Sequence, residues 1–241
     1  MDTTKNRQRT PELRTLSEHP AGTPVRAVVL MLPGGAVTGH GRASRLAALT
    51  LHSPARRLVG AGREAGVKVV QLRYRYRGWN GDAADTLVDT LWALEELRRE
   101  HGDVPVALFG NSLGGRAAFR AAGHRNVVAV TGVAPWLPTG EPVEQLAGRD
   151  VLIIHGDRDR SDAGAAESLA YAERARTVTA LRRYELAGAG HFLLPRAEDA
   201  WAAATAFTLA ALTRTGPADL PAEDSVAPLR TLLPVGYANG R

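Results

Sequence analysis

The sequence predicts an α/β fold, a mostly parallel sheet of about six to eight strands with helices on both faces, and three observations predict it. Short, continuous apolar runs rich in valine recur along the chain, stretches with helical spacing lie between them, and loops bearing glycine or proline follow the runs. A run that is apolar at every position suits a strand buried on both faces, which is the situation of a parallel sheet covered by helices on two sides.

The elements follow in order. Residues 1–24 are polar, with one short strand candidate at Glu12 to Leu16. Val25 to Leu32 (VRAVVLML) is the first core strand, ended by Pro33-Gly34-Gly35. Pro54 to Glu64 reads as a helix, and Val67 to Leu72 (VKVVQL) as the next strand. Asp82 is placed to cap a helix running to about Glu100, with Leu87, Leu91, Leu94 and Leu97 at three- and four-residue spacing and Gly102 just past its end. Val104 to Phe109, Val127 to Val133, Val151 to Ile154 and Val178 to Leu186 are further strand candidates, separated by helices over Gly114 to Ala122 and Ala163 to Arg176 and followed by one over Arg196 to Arg214. Alternation of strand and helix implies parallel pairing through crossover connections. The main domain is thus expected over 25–214. Beyond it, 215–241 reads as an extension carrying Pro217, Pro221, Pro228 and Pro234, largely disordered or packed along the surface.

Composition excludes several function classes. A chain of 241 residues, 44% hydrophobic, buries a substantial core. Its first residues, MDTTKNRQRTPELRTL, hold no apolar signal-peptide core, and no run approaches the roughly 18 apolar residues of a membrane span, so a cytoplasmic protein without membrane contact is expected. Zero cysteines exclude disulfides, thiolate metal sites and a cysteine nucleophile. A net charge of +5 invites a nucleic-acid reading, but the 28 arginines and 2 lysines are spread through the chain rather than gathered on a stripe, so no nucleic-acid partner is expected.

The chemistry centres on FGNSLGG at 109–115. Gly110-Asn111-Ser112-Leu113-Gly114 matches G-x-S-x-G, the pattern of a sharp strand-to-helix turn in which only glycine fits on either side of an exposed serine. Ser112 follows an apolar strand and precedes a helix, as that turn requires. A serine hydroxyl is a weak nucleophile until a neighbouring base takes its proton, and the base in turn needs a carboxylate to fix its tautomer. Of seven histidines, His191 lies in a glycine loop, Gly188-Ala189-Gly190-His191-Phe192, after the last core strand; His155, at the end of a strand, reads as structural. The acid is sought in HGDRDRSD after the strand 151–154. Spacing favours Asp159, with Asp157 left to hold the turn and Ser161 or Asp162 to cap the next helix. Developing negative charge on a substrate oxygen needs N–H donors. Leu113, directly after the serine, supplies one, and Gly35, in the turn after the first strand, is favoured for the other. No HExxH or CxxC spacing points to a metal.

With these residues assembled, the chain resembles the serine α/β-hydrolases over about residues 25–214, through LPGG, YRGWNG, GNSLGG, HGDRDR and GAGHF in that order. The resemblance implies a Ser112-His191-Asp159 triad, no organic cofactor, and an acyl-enzyme intermediate formed from a small-molecule ester or thioester. It leaves acyl transfer, peptide hydrolysis and a non-catalytic ligand-binding relative as alternatives. The chain departs from many members in carrying Pro33 where they have histidine, and in having only Ala134 to Arg149 where they insert a cap domain, so an open site is expected. Trp79, Trp136 and Phe192 are candidate substrate-lining residues, with Leu113 beside them. Arg73, Arg75 and Arg77 alternate along one strand face, where solvated or salt-bridged side chains are the simpler reading than cations offered to an acidic substrate.

Overall fold

Every residue of β2 (Ala27–Leu32) is buried because its two faces enter two different cores. Val28, Leu30 and Leu32 join one cluster, while Ala27, Val29 and Met31 join the other, which is why the sequence shows no alternation here. The computed structural model describes residues 9–18, 23–161, 164–214 and 228–240.

The strands form one sheet. β1 (Glu12–Thr15), β3 (Val67–Arg73), β2, β4 (Val106–Asn111), β5 (Val127–Val133), β6 (Asp150–Gly156), β7 (Leu181–Leu186) and β8 (Thr231–Leu232) lie side by side in that order. Among the described residues only β1 runs antiparallel to its neighbour; the other ladders are parallel. Helices α3 (Asp85–His101), α4 (Leu113–Ala121) and α5 (Ala165–Ala175) supply Leu94, Leu97, Phe119 and Tyr171 to one core. Across the sheet, α2 (His52–Gly62) and α6 (Ala197–Thr213) supply Leu58, Trp201 and Ala204 to the other. Among the described residues no helix is long and apolar enough to cross a membrane.

Chain order places the functional edge. From β2 the chain moves outward to β3, then returns past β2 to β4, so the winding reverses between β2 and β4, whose ends pair at Leu32 and Gly110. Ligands in doubly wound sheets bind at the carboxyl ends of the strands beside such a reversal. The loops that leave β2 and β4 there are Pro33-Gly34-Gly35 and Ser112.

One expectation is corrected, and two elements are added. Asp82 does not cap α3: it sits in a 3₁₀ turn, Gly81–Ala83, and the helix starts at Asp85 behind Ala84, whose φ of 43° breaks the helical run. An extra helix, α1 (Arg45–Leu49), precedes α2, opened by Ser44, whose hydroxyl accepts from the Ala47 N–H at 3.2 Å. Of the 215–241 extension, 215–227 lie outside the described residues; in the remainder Thr231–Leu232 pairs with β7, and Leu229 and Leu233 are buried. The reason is Arg183 on β7, only 1% exposed, which donates to the carbonyls of Leu229 at 2.8 Å and Ala165 at 2.9 Å and to Glu185 at 2.7 Å. Burial pulls its pKa down, and the carboxylate of Glu185 counters that. Arg183→Met, which keeps the apolar stem but removes every donor, is expected to cost about 3–5 kcal/mol. A urea denaturation midpoint that barely moves would show that the guanidinium does not hold the tail and α5 onto β7.

Candidate active site

Ser112 stands at the tip of β4 with φ 52° and ψ −118°, a backbone conformation that side-chain-bearing residues rarely adopt. The surroundings hold it there. Its N–H donates to Val133 O at 3.1 Å, and its carbonyl accepts from Gly115, Arg116 and Trp136 at 2.9, 3.3 and 3.0 Å. The flanking glycines are needed for contact: a Cβ on Gly114 would penetrate the Leu32 carbonyl at the end of β2, and one on Gly110 would strike Gly114 O. The turn is therefore wedged between two strands.

The structure brings Ser112, His191 and Asp159 together. His191 Nε2 lies 3.1 Å from Ser112 Oγ, and His191 Nδ1 lies 2.7 Å from Asp159 Oδ2. An ionised carboxylate only accepts, so Nδ1 carries the hydrogen and the lone pair of Nε2 faces the serine hydroxyl. Close approach of the histidine loop depends on Gly156 at the end of β6, where a Cβ would run into Ala189 O and come within 2.7 Å of Gly190 O.

Asp159 is 3% exposed and accepts four hydrogen bonds. Oδ2 takes His191 and also His155 Nε2 at 3.0 Å; Oδ1 takes the Ser161 N–H at 3.0 Å and the Ser161 hydroxyl at 2.6 Å. Burial alone would raise its pKa, but the bonds from His155, Ser161 and His191 outweigh burial and hold the carboxyl well below the usual carboxylate range. The alternatives are thereby separated in position. Asp157 accepts from the Gly188 N–H at 2.8 Å and fixes the turn, and Asp162 lies outside the described residues. Ser161 is bonded to Asp159, and α5 begins behind Gly164 without a side-chain cap.

His155 and Ser161 are the residues that sequence reasoning did not connect to the acid. The signal available was the four-residue interval from His155 to Asp159 across Gly156, a turn that brings strand end and loop back together.

The amide N–H groups of Leu113 and Gly35 meet no backbone acceptor among the described residues. Leu113 opens α4, where a helix N-terminus leaves its first donors free and favours negative charge. Gly35 packs on the Leu113 side chain, since a Cβ there would come within 2.5 Å of Leu113 Cδ2.

Two candidate lining residues are corrected. Trp79 is 4% exposed and belongs to the core, and the buried Leu113 side chain joins it. Trp79 and the part-buried Trp136 clasp the Arg116 guanidinium, 3.9 and 4.5 Å from their ring centres, and Glu141 accepts from that guanidinium at 2.9 and 2.6 Å. The tryptophans are thus occupied by an arginine one helical turn past Ser112. Phe192 is 79% exposed and lies edge-on to His191 at 5.7 Å. Of the three alternating arginines, Arg73 pairs with Glu12 and Arg75 with Asp89 and Asp85. The segment 134–149 holds no helix beyond a 3₁₀ turn at Glu144–Leu146 and is pinned to the body by the buried Leu137, Val143 and Leu146, so it forms no lid.

No family model matches the sequence, and no curated protein matches it either. Solved structures do match in shape. A protein from Agrobacterium tumefaciens described as a putative alpha/beta hydrolase is 18% identical, with a TM-score of 0.62 over 82% of this chain and 89% of that one. Est1E from Butyrivibrio proteoclasticus, solved with ferulic acid bound, is 16% identical, with a TM-score of 0.60 over 85% of this chain and 97% of that one. A Xanthomonas campestris protein described as an a/b serine hydrolase without lid is 16% identical, with a TM-score of 0.59 over 86% and 91%.

Proposed function

From the α/β-hydrolase fold that this chain shares with those structures, we propose that the protein is a serine hydrolase cleaving a carboxylic ester or thioester. The single observation that carries the reading is the relay from Ser112 Oγ to His191 Nε2 at 3.1 Å and from His191 Nδ1 to Asp159 Oδ2 at 2.7 Å. As the Ser112 oxygen bonds to the substrate carbonyl carbon, its proton passes to His191 Nε2 and the carbonyl electrons move to oxygen. The N–H groups of Leu113 and Gly35 receive that oxyanion. Its collapse expels the alcohol or thiol, which leaves with the proton held on His191. Water then repeats the sequence on the acyl-serine, and the acid departs. Asp159 remains ionised and keeps the histidine in the one tautomer and orientation that can act as a base.

A fluorophosphonate probe is expected to label the folded protein on Ser112 alone, identified by peptide mapping, together with turnover of short-chain p-nitrophenyl esters. Absence of labelling with no ester turnover would favour a non-catalytic binding protein on the same fold.

A further inference from the structure

We propose that the cavity bounded by β1, β3, α1 and α2 receives the non-reacting end of the substrate, and that this end is an apolar chain terminated by an anion. The proposal rests on the hydrolase reading above. The cavity encloses about 960 Å³, the size of a small-molecule site, and it reaches Pro33 and Gly34. Gly34 abuts Ser112 from the other side, since a Cβ on it would lie 3.4 Å from Ser112 Cβ. A ligand in the cavity therefore extends up to the loop that presents Gly35.

Its wall and its rim differ in chemistry. Leu51, Ala55 and Leu72 are buried, and with Leu16 and Val59 they offer methylene-compatible surface. Around them stand five arginines, Arg14, Arg45, Arg56, Arg73 and Arg77, and one carboxylate, Glu12. Glu12 and Arg73 pair at 2.9 Å and are matched across the β1–β3 ladder. The next pair on the same face is Arg14 opposite Gln71, so no acid faces Arg14 across the ladder, and Glu12, two residues earlier on that face, is paired with Arg73. Among the described residues Arg45, Arg56 and Arg77 have no acidic partner either, whereas Arg57, the neighbour of Arg56, pairs with Glu198 at 2.9 Å. Four unmatched cations from β1, α1, α2 and the loop after β3 thus converge on one mouth, in a chain whose whole net charge is +5. Gathering like charges without counter-charge is unfavourable in the empty protein, and a bound carboxylate, which fits the guanidinium fork, reverses that penalty.

The test compares two p-nitrophenyl esters of equal chain length, the octanoate and the mono-ester of suberic acid, whose far end is a carboxylate. The wild-type kcat/KM is expected to be about tenfold higher for the suberate mono-ester, two partly screened ion pairs being enough for that ratio. The preference should shrink in molar salt and fall to near unity in Arg14→Gln/Arg56→Gln; should that variant not fold, Arg45→Gln/Arg77→Gln reads the same rim. A wild-type ratio near or below one, or a ratio that survives neutralisation in a folded variant, overturns the proposal. If Ser112 is not labelled and neither ester is cleaved, the hydrolase reading has failed separately. Calorimetric titration then judges the cavity: tighter binding of methyl hydrogen suberate than of dimethyl suberate, lost in the double variant, supports it, and equal or absent binding overturns it.

Discussion

Ser112→Ala is expected to lower kcat for p-nitrophenyl ester hydrolysis by about 10⁵- to 10⁶-fold and to abolish fluorophosphonate labelling, with the fold retained. In the proposed reaction a single atom of the relay bonds to carbon, and alanine removes that atom while leaving the turn. The residue's φ of 52° is imposed by Gly110, Gly114 and the bonds to Val133 and Trp136, none of which uses the hydroxyl. Thermal melting should therefore stay close to wild type. Steady-state assay of freshly purified variant, with the residual rate checked against buffer, reads the effect. Residual turnover within a hundredfold of wild type would mean that another nucleophile performs the chemistry.

Asp159→Asn is expected to lower kcat by about 10⁴-fold, with KM little changed, for a reason set by hydrogen-bond polarity. The carboxylate accepts from His191, His155 and Ser161. An amide of the same shape turns one of its two arms into a donor, so either His191 rotates or its hydrogen moves to Nε2, where it faces the Ser112 oxygen and no base remains. Imidazole NMR should report the changed tautomer. A tenfold loss or less would leave Asp159 a structural group.

The same substitution carries a pH signature. The Asp159 carboxyl titrates lower in the folded protein than in the unfolded chain, so its contribution to stability is fully present above the unfolded carboxylate value, near pH 4, and is withdrawn as pH falls below that. Wild type should lose stability in that acid window more steeply than Asp159→Asn, whose side chain does not titrate. Denaturant midpoints between neutral pH and pH 3 measure the difference, and parallel curves would show that the four bonds do not favour the ionised form.

Much of the site was legible because each part announces itself locally. G-x-S-x-G reports a turn too crowded for side chains on either flank. Gly156 and Gly188-Ala189-Gly190 report the loops that must come close at the ends of β6 and β7. Two of the misses have a common cause, which is that they depend on residues distant in the chain. Trp79 sits just past a strand end, as a lining residue would, but its ring is covered by Arg116, thirty-seven positions later. Thr231–Leu232 is a weak strand by composition, and it forms because β7 offers an open edge and Arg183 offers donors to Leu229.

By itself the sequence determined the alternation of buried strands and covering helices, since apolar period and glycine punctuation act within a few residues, and from the G-x-S-x-G turn, loop spacing and chain order it nominated Ser112, Asp159 and His191. Only the tertiary structure decided that the tryptophans hold an arginine and that Arg14, Arg45, Arg56 and Arg77 ring one cavity. Those arrangements are contacts across the sheet and between its layers, and no interval along the chain encodes which distant side chains will be brought within bonding distance.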